Sequence, residues 1–481
     1  MSLQRGERSS PVEVARTALA GREAWIVGGV VRDRLLGRHT SDVDVVIAGD
    51  PAEAARAVAR AAPGRAACFE LSHDYGSWRV VALESGWQVD LEPLRGGTLE
   101  QDLALRDFTV NAIAEPLHGG EPIDPLGGLA DLHVRRLRMA GAGAFAADPL
   151  RVLRLVRVAV ELDLQPDADT RARAIAAAHG LRATSAERVF MELRRIIACE
   201  RARAGIEMLG ELGAGAVVLP ELEALRGVEQ SRFHHADVYR HTLEVLDWAV
   251  TLSSPGGERA APLAPVLGER AEQVQALLAE PLADELSRGQ ALRWGALMHD
   301  CAKPLTRAVA PGGRVTFLEH DTRGAQLARD ALERLRSSER LRAHVAGLVR
   351  QHLRLGFLVH EPQPLSRRTV FAYMRACAPV EVDVTLLSIA DRLATRGERS
   401  EEAIAAHLRM ARGVLADALD WRAQGPPRAP LRGDELADEL GIERGPRVGE
   451  MLEALRLARY AGELETREQA LIYARTLLDS V

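Results

Sequence analysis

Two acidic residues, Asp42 and Asp44, lie in an apolar segment near the start of the chain, TSDVDVVI. A run such as residues 43–47, rich in valine and isoleucine, is typical of a buried β-strand. Because side chains alternate along a strand, the two acids should share one face. Neighbouring carboxylates repel each other unless a cation lies between them. The segment therefore predicts a strand with a Mg²⁺ site that can bind a triphosphate and activate an attacking hydroxyl.

A glycine pair, Gly28-Gly29, ends the preceding apolar run, and a short helix is expected over residues 30–36. Glycine allows the backbone to approach phosphate groups closely. A lone Asp-x-Asp motif beside a plain Gly-Gly loop is more often a charged turn in solvent. Here the apolar flanks would bury both acids, and this favours the metal site.

The length of 481 residues is enough for several domains. No stretch is long enough to span a bilayer, and residues 1–14 contain no apolar segment, so we expect a cytoplasmic protein without a membrane partner. The four cysteines are far apart and form no Cys-x-x-Cys pair, which argues against a disulfide framework or a zinc ribbon. They are Cys68, Cys199, Cys301 and Cys377.

The net charge of −6 excludes a generally basic nucleic-acid binder, but the charge is uneven. Residues 132–204 contain fourteen arginines against eight acidic residues. A local basic surface suits a polyanion bound in one place. A set of solvated helices in an arginine-rich chain explains the same pattern equally well.

The next segments predict a helix over residues 11–24, a helix over 52–62, and two paired strands over 78–83 and 87–91. Asp90 lies in the second of these strands. It is a candidate third carboxylate of the metal site, and an ordinary acid at a strand end is an equal alternative.

Polar residues recur in two later segments. Arg106, Asp107 and Asn111 interrupt an apolar stretch; arginine can hold phosphate oxygens in a fork, and asparagine can meet a sugar hydroxyl. Residues 148–151, Asp-Pro-Leu-Arg, predict a helix with Asp148 at its N-cap. Three arginines then follow at helical spacing, and they could also be the solvated face of a well-capped helix. They are Arg151, Arg154 and Arg157.

In this order, these motifs resemble the bacterial branch of the tRNA nucleotidyltransferase and poly(A) polymerase family over about the first 200 residues. The matching segments are Gly28-Gly29 with Arg32-Asp33, Asp42 with Asp44, residues 106–112, residues 124–128 and residues 148–151. The resemblance implies two Mg²⁺ ions held by Asp42 and Asp44. It also implies that Asp148 and Arg151 select the base of CTP or ATP through its Watson–Crick edge, without a nucleic-acid template. The implied nucleotide-binding set is Gly28, Gly29, Arg32, Arg106, Asp107, Asn111, Asp148, Arg151, Arg154 and Arg157.

Two departures from the family pattern bear on what is added to tRNA. The family usually has Glu before the acid of its last motif, where this chain has Ala147. CCA-adding members carry a flexible loop between the Asp90 strand and Arg106, whereas residues 93–102 run straight on here. This loss resembles members that add only CC and leave the final A to a separate A-adding enzyme. The alternative is that another segment replaces the loop.

A second cluster, of histidines and aspartates, begins near Phe233. Its order and contexts, YRHT and HDCAKP, resemble the HD phosphohydrolase domain. The resemblance implies His241, His299, Asp300 and Asp391 as ligands of a divalent transition metal or Mg²⁺, with His320 and His352 added in two-metal members. Each histidine taken alone is more often a packed or surface residue. Lys303, the only lysine, is expected to contact phosphate.

The expected fold class is α+β: a small N-terminal polymerase-type nucleotidyltransferase sheet domain, then an elongated all-α neck, an HD domain and a helical tail. The expected boundaries are 1–140, 141–230, 231–398 and 399–481. Residues 253–284 predict a surface insertion without a readable motif. Residues 445–449, Gly-Pro-Arg-Val-Gly, could hold a tRNA phosphate or simply begin a helix.

The expected function is addition of CCA, or only CC, to the tRNA 3′ end, with a second hydrolytic site. Three alternatives stay open: a poly(A) polymerase, a phosphohydrolase whose N-terminal domain only binds RNA, and a non-catalytic tRNA-binding protein. The HD motifs and the Gly-Pro-x-x-Gly segment argue against the first. The paired acids argue against the last, because a simple binding protein does not need them.

Overall fold

The computed structural model describes residues 10–38, 42–73, 75–230, 237–254, 258–395 and 400–479. The chain divides into two compact units, residues 1–184 with 211–214, and residues 185–210 with 215–481. The start of the predicted histidine cluster at Phe233, and the predicted boundaries at 230/231 and 398/399, lie outside or at the edge of the described residues.

A mixed six-stranded sheet forms the centre of the first unit. Its strands are β1 (Ala24–Val27), β2 (Asp42–Ile47), β3 (Ala66–Ser72), β4 (Ser77–Ala82), β5 (Gln88–Pro93) and β6 (Ala114–Pro116). Their order is β3-β4-β5-β2-β1-β6. β2 and β5 are parallel and the other neighbours are antiparallel. The sequence did not predict β3 or β6. A further parallel pair consists of β7 (Arg136–Leu137) and β8 (Gln165–Pro166).

Eight helices accompany these strands in the described part of the first unit. They are α1 (Pro11–Ala18), α2 (Gly29–Leu35), α3 (Pro51–Ala61), α4 (Leu99–Ala104), α5 (Gly128–His133), α6 (Ala144–Ala147), α7 (Arg151–Leu162) and α8 (Ala168–Ala177). Single 3₁₀ turns cover Thr109–Asn111 and Ala178–Ala183. The prediction that the first helix extends to residue 24 was wrong, because Ala24 already pairs with Ile47 in the sheet.

The second unit is built almost entirely from helices. They are α9 (Ala186–Ala198), α10 (Ala202–Glu211), α11 (Gly215–Val218), α12 (Pro220–Glu223), α13 (Val238–Ser253), α14 (Ala264–Leu267), α15 (Ala271–Ala279), α16 (Arg288–Met298), α17 (Lys303–Thr306), α18 (His320–Arg334), α19 (Glu339–Gln351), α20 (Arg354–Phe357), α21 (Arg367–Cys377), α22 (Glu381–Ala394), α23 (Ser400–Gln424), α24 (Gly433–Leu440), α25 (Pro446–Tyr460) and α26 (Arg467–Asp479). Three 3₁₀ turns cover Glu258–Leu263, Gly268–Arg270 and Leu358–His360. Two short antiparallel pairs join β9 (Pro281–Ala283) to β10 (Leu286–Ser287) and β11 (Arg307–Val309) to β12 (Val315–Phe317).

Helix α16 lies in the core of the second unit, where Trp294 is fully buried. Ser287 and Gln290 form a capping box at its start, which satisfies backbone amides that the helix leaves without partners. A separate apolar cluster holds α24, α25 and α26 together. The segment Gly445–Gly449 forms the start of α25.

The expectation of a surface insertion over residues 253–284 was wrong for most of that segment. Val266 and Val274 are buried in the large apolar cluster of the second unit, as are Leu277 and Leu278. α14 and α15 carry these side chains on one face, and burial of that face stabilises the core. The α+β fold class is confirmed. No helix in the described ranges has the length and apolar content needed to cross a membrane.

Candidate functional site

The paired carboxylates of the first unit lie on β2, as the valine-rich pattern predicted. The expectation that the apolar flanks bury both acids was wrong, because Asp42 is exposed and Asp44 is half-buried. Val43 and Val45 between and beside them are buried on the other face of the strand. In the parallel pairing of β2 with β5, Asp44 lies directly opposite Asp90. The sheet therefore brings together the three acids that the sequence proposed as a metal site.

Burial raises the pKa of Asp44 to about 7, and the charges of Glu92 and Asp90 add to this rise while Arg106 opposes it. In such surroundings the protein alone compensates the negative charge of a carboxylate poorly. Oxygen ligands of this kind suit Mg²⁺. The residues present therefore fit a divalent cation at Asp42 and Asp44.

Asp90 has a different partner from the one expected. Both of its oxygens accept hydrogen bonds from the guanidinium of Arg79, from Nε and Nη2, each at 2.7 Å. Such a two-point contact fixes the orientation of the carboxylate. Asp90 is therefore close to Asp44 in the sheet but held by Arg79.

The turn at residue 28 comes so close to Asp44 that only glycine fits there. Its φ is +77°, a conformation that side-chain-bearing residues rarely adopt. A Cβ atom at this position would lie 3.2 Å from Oδ2 of Asp44 and 3.3 Å from Nη1 of Arg106. At Gly29, a Cβ would lie 3.3 Å from Nη2 of Arg32. The glycine pair therefore leaves room for the charged groups of the site.

Four of the predicted nucleotide-binding residues form one hydrogen-bonded network. Nη1 of Arg32 donates to Oδ1 of Asn111 at 2.5 Å, and Nδ2 of Asn111 donates to Oδ1 of Asp107 at 2.9 Å. Nε of Arg154 donates to Oδ2 of Asp107 at 2.7 Å. Burial alone would raise the pKa of Asp107, but Arg154 and the hydrogen bonds from Asn111 and Phe108 outweigh it and hold the pKa well below its usual range.

Asp102, which positions Arg106, was not predicted from the sequence. Asp102 is fully buried on α4. Its Oδ2 accepts from Nη2 of Arg106 at 3.1 Å, and its Oδ1 accepts from Nε of Arg95 at 2.9 Å. The separation of four residues between Asp102 and Arg106 is a signal that could have revealed this pair.

Asp148 and Arg151 are both bound to the backbone in this structure. Arg151 donates to the carbonyls of Leu105 at 2.9 Å, Arg106 at 3.2 Å and Ala144 at 3.3 Å. Oδ1 of Asp148 accepts from the amide of Leu150 at 3.1 Å. The prediction that Asp148 is the N-cap was wrong, because α7 begins at Arg151 and the extended Asp148 instead ends α6.

Arg157, the last arginine of the predicted row, has its partner one turn further along α7. Its Nη1 donates to Oε2 of Glu161 at 2.9 Å, and the side chain is buried. Arg151, Arg154 and Arg157 share the helix that the spacing predicted. Their side chains nevertheless donate to three different groups: main-chain carbonyls, Asp107 and Glu161.

The second unit gathers all six residues of the predicted HD site from five helical segments. His241 lies on α13, His299 and Asp300 follow α16, His320 begins α18, His352 follows α19 and Asp391 lies on α22. Five of them are buried, and the carboxylate of Asp391 lies 3.0 Å from Nε2 of His241. Helices distant in sequence therefore build one site.

Asp300 is shared between two groups of ligands. One consists of His241, His299 and Asp300, and the other of Asp300, His320 and His352; within each, the ligand atoms lie within 4.8 Å of one another. Oδ2 of Asp300 is 3.1 Å from Nε2 of His299, and Oδ1 is 3.4 Å from Nε2 of His320. A carboxylate in this position can bridge two metal ions.

Main-chain carbonyls set the orientation of three imidazoles. Nδ1 of His299 donates to the carbonyl of Ala296 at 2.8 Å, and Nδ1 of His352 donates to that of Val349 at 2.7 Å. His320 makes the same contact with Phe317 at 2.7 Å. These bonds leave Nε2 as the metal-binding atom of each ring.

The donor set fits a divalent cation. Imidazole suits transition metals such as Zn, Fe or Ni, and carboxylates also accept Mg²⁺. Nε2 of His299 is buried, and because Nδ1 donates to Ala296, the neutral ring presents Nε2 as an acceptor towards Oδ2 of Asp300, 3.1 Å away. A metal ion would satisfy this atom.

Lys303 lies beside the shared carboxylate. Its Nζ is 2.7 Å from Oδ2 of Asp300 and donates to Oε1 of Gln230 at 2.7 Å. The ammonium also lies 5.3 Å from the ring centre of Phe317. This position places its charge within reach of a ligand bound at Asp300.

Three family models match the chain. They are described as Poly A polymerase head domain, over residues 24–138; Probable RNA and SrmB- binding site of polymerase A, over residues 163–225; and HD domain, over residues 273–396. The first match contains Asp42, Asp44 and Asp90. The third contains every predicted HD ligand except His241.

Curated relatives match over nearly the whole length. The A-adding tRNA nucleotidyltransferase of Deinococcus radiodurans is 38% identical, over 93% of this chain and 94% of the relative. The CC-adding tRNA nucleotidyltransferase of Thermus thermophilus is 34% identical, over 93% and 92%. Among solved structures, the Thermotoga maritima CCA-adding enzyme complexed with tRNA covers 98% of this chain and 97% of its own, with a TM-score of 0.61 and 20% identity. That likeness supports the fold.

Proposed function

This chain belongs to the family of CCA-, CC- and A-adding tRNA nucleotidyltransferases, and we propose that it adds two C residues from CTP to the 3′ end of tRNA. The observation that carries the transfer reaction is the Asp42/Asp44 pair on β2, of which Asp44 lies against the Gly28 turn and near Arg106. Paired acids beside a glycine turn and arginines are what transfer from a nucleoside triphosphate requires.

In the proposed reaction, the 3′ hydroxyl of tRNA attacks the α-phosphorus of CTP, and the bond to pyrophosphate breaks. Asp42 and Asp44 would hold Mg²⁺, which when bound neutralises charge on the triphosphate and activates the hydroxyl. Arg106 and Arg154 supply fixed positive charge to the transferring group. Asp102 holds the first of these arginines and Asp107 the second, so neither has to be ordered during the reaction.

We propose that Asp148 and Arg151 select the base without a nucleic-acid template. A carboxylate accepts from the exocyclic amine of cytosine, and a guanidinium donates to ring N and O atoms. Arg151 donates to three main-chain carbonyls in this structure. To select the base, the guanidinium must therefore break its hydrogen bonds to these carbonyls and form new ones to the base. Nucleotide binding and movement of Arg151 then occur in a single step.

The restriction to CC rests on the link between β5 and α4. Only residues 94–98 separate the two elements, and Gly96 and Gly97 turn the chain with φ of +78° and +94°. Such a link has no room for a mobile loop over the nucleotide. The relatives' names do not decide the matter, because one is A-adding and another CC-adding. A separate A-adding enzyme would then complete the CCA end; addition of all three nucleotides, with ATP as the last substrate, is the alternative.

We further propose that the HD site is a metal-dependent phosphohydrolase. The observation in its favour is the sharing of Asp300 between two buried ligand groups. A metal ion bound there lowers the pKa of a water molecule that can attack a phosphoester. Lys303 is placed to contact the phosphate. We also retain the four-part division at residues 140, 230 and 398 as a proposal.

The proposal is tested with purified protein, Mg²⁺ and a tRNA transcript that lacks its terminal CCA, supplied with each nucleoside triphosphate separately. CTP alone should lengthen the tRNA by two nucleotides, whereas ATP alone should not extend it. A ladder of many A residues would instead indicate a poly(A) polymerase. Absence of extension, together with hydrolysis of nucleotide phosphates, would indicate a phosphohydrolase whose first unit only binds RNA.

A further inference from the structure

Three helices of the HD site also meet at a second buried cluster of polar side chains. Arg288 begins α16, Asp383 lies in the first turn of α22 and His344 lies on α19; all three are buried. Oδ1 of Asp383 accepts from Nε of Arg288 at 2.8 Å, and its Oδ2 accepts from Nη2 at 2.5 Å. Nε2 of His344 lies 3.7 Å from Oδ1 of the same carboxylate. The cluster therefore links all three helices.

The metal ligands lie further along the same helices, each in the C-terminal direction from the cluster. The spacing from cluster residue to ligand is eight residues on α19 and α22 and eleven residues on α16. At 1.5 Å per residue, this corresponds to about 12–17 Å. The ring centres of His299 and His352 are 5.3 Å apart, and Asp391 and His299 both lie beside His241. The three helices therefore contact one another at the cluster, converge again at the ligands, and run side by side in the same direction.

Between these two ends, apolar side chains pack the helices closely. Gly295 of α16 faces α19, and a Cβ at Gly295 would lie 2.5 Å from Cδ1 of Leu348. Leu387 and Ala390 of α22 are buried in the same apolar cluster as Leu348. Apolar contacts are not directional, so they constrain only weakly how far one helix is displaced along another. The two-point contact of a guanidinium with a carboxylate has a defined geometry and does fix this displacement.

Stability alone does not account for the Arg288–Asp383 pair. Removal of both charges from water is unfavourable, and apolar side chains of similar volume often give a fold of equal or greater stability. Burial alone would lower the pKa of Arg288, but the charge and hydrogen bonds of Asp383 outweigh it and raise the pKa, so the guanidinium stays charged. The property that apolar residues could not supply is the directional contact.

We propose that Arg288 and Asp383 are positioning residues of the HD metal site, because their contact fixes the displacement of α22 along α16 and hence the separation of Asp391 from His299. The inference rests on the metal site proposed above and does not depend on hydrolysis of any particular phosphoester. A small change in this separation weakens binding, because protein ligands must lie within about 0.2 Å of the ideal distance from the metal. The pair therefore acts on the metal ion without contacting it.

The test measures Co²⁺ binding to the full chain by titration and by the visible absorption spectrum of the bound ion, which reports the ligand geometry. Asp44→Ala is present in every protein, including the parent, so that the β2 site does not contribute. In the double variant Arg288→Met/Asp383→Leu, apolar side chains replace the ion pair. We expect a thermal unfolding midpoint no lower than that of the parent. Co²⁺ should nevertheless bind roughly 10-fold to 100-fold more weakly, with an altered spectrum.

Arg270→Met/Asp420→Leu is the matched control. This ion pair, 3.0 Å apart, joins the 3₁₀ turn that ends at Arg270 to α23, and neither element carries an HD ligand. Its replacement by the same apolar residues should leave the affinity for Co²⁺ and the spectrum unchanged.

Arg288→Lys keeps the positive charge but cannot make the two-point contact, so it should weaken Co²⁺ binding less than the double variant does. It decides the test if the double variant does not fold. Unchanged affinity and spectrum in the deciding variant would overturn the proposal and make the pair purely structural. Absence of Co²⁺ binding by the parent would overturn the metal site and this inference with it. If the parent binds Co²⁺ and the deciding variant binds it more weakly, the positioning role stands even where no phosphoester is hydrolysed.

Discussion

The two candidate sites hold their carboxylates in opposite ways. In the β2 site, burial and the neighbouring acids raise the pKa of Asp44 to about 7. In the HD site, burial alone would raise the pKa of Asp300, but His299 and Lys303 outweigh it and hold the pKa well below its usual range. In the HD site the ammonium of Lys303 lies 2.7 Å from the Asp300 carboxylate, whereas in the β2 site the neighbouring acids add further negative charge. We therefore expect the charge on the HD carboxylate to be compensated before a metal ion binds. In the β2 site, the charge on the carboxylates is compensated only when the nucleotide and its metal ion bind.

The comparison is tested most strongly by Asp44→Ala. Loss of a metal-binding carboxylate should lower nucleotide addition by about three orders of magnitude, because the cation contributes several kcal/mol to stabilisation of charge. Hydrolysis at the HD site should not change. Addition is measured with CTP and truncated tRNA, and hydrolysis with a nucleoside phosphate.

Glu53→Ala, an exposed acid on α3, is the matched control for that variant and should keep both activities. If Asp44→Ala retains addition, the β2 carboxylates do not hold the catalytic cation.

The reciprocal change is Asp300→Asn. Because both ligand groups share this residue, hydrolysis should fall by about three orders of magnitude. The bound transition metal, measured by mass spectrometry after dialysis, should fall with it, while addition to tRNA continues. Asp330→Asn changes an exposed acid further along α18, outside the two ligand groups, and serves as the control. Retention of full metal content by Asp300→Asn would contradict the shared-ligand arrangement.

Asp102→Asn tests whether the arginines of the β2 site need a fixed position. The amide cannot compensate two guanidinium groups, so Arg95 and Arg106 should lose their alignment. We expect addition to fall roughly 10-fold to 100-fold, and stability to fall by about 1–3 kcal/mol. The KM for CTP and kcat are measured at a temperature where the variant is fully folded. Loss of stability with unchanged kinetics would reduce Asp102 to a purely structural residue.

The smallest effect is expected from Gly28→Ala. Its φ of +77° with ψ of −143° is a conformation adopted almost only by glycine and costs about 1–3 kcal/mol for a residue with a Cβ, and the methyl group would press on Asp44. Gly37→Ala also has a positive φ, +68°, but nothing lies within 4 Å of its Cβ, so it carries a backbone cost without the contact. Only Gly28→Ala should lower addition, by roughly tenfold. Equal losses in both variants would show that the close approach to Asp44 is unimportant.

Local patterns predicted much of the β2 site. The alternation in residues 42–47 was enough to place the acids on one face of a strand, because that pattern depends only on neighbouring residues. The family resemblance stated from the motifs is confirmed. The roles of the individual site residues stay predictions that the variants above address.

Contacts between distant residues could not be read from the sequence. Nothing in the chain indicates that Arg79 would bind Asp90, or that Arg151 would bind the carbonyls of residues 105 and 106. The carbonyls that orient the histidines are backbone groups and carry no signature at all. Phe357 lies in no motif of the sequence, and only the fold brings it to the same pocket as His320 and Lys303.

The most direct test of the central claim is to sequence the tRNA ends made by the purified protein from truncated tRNA, CTP, ATP and Mg²⁺. Ends that stop at CC, even with ATP present, are the predicted result and would support the short β5–α4 link as the cause. Ends that read CCA would contradict the restriction to C and would mean that another segment performs the loop's role. Unextended tRNA would contradict the transferase itself.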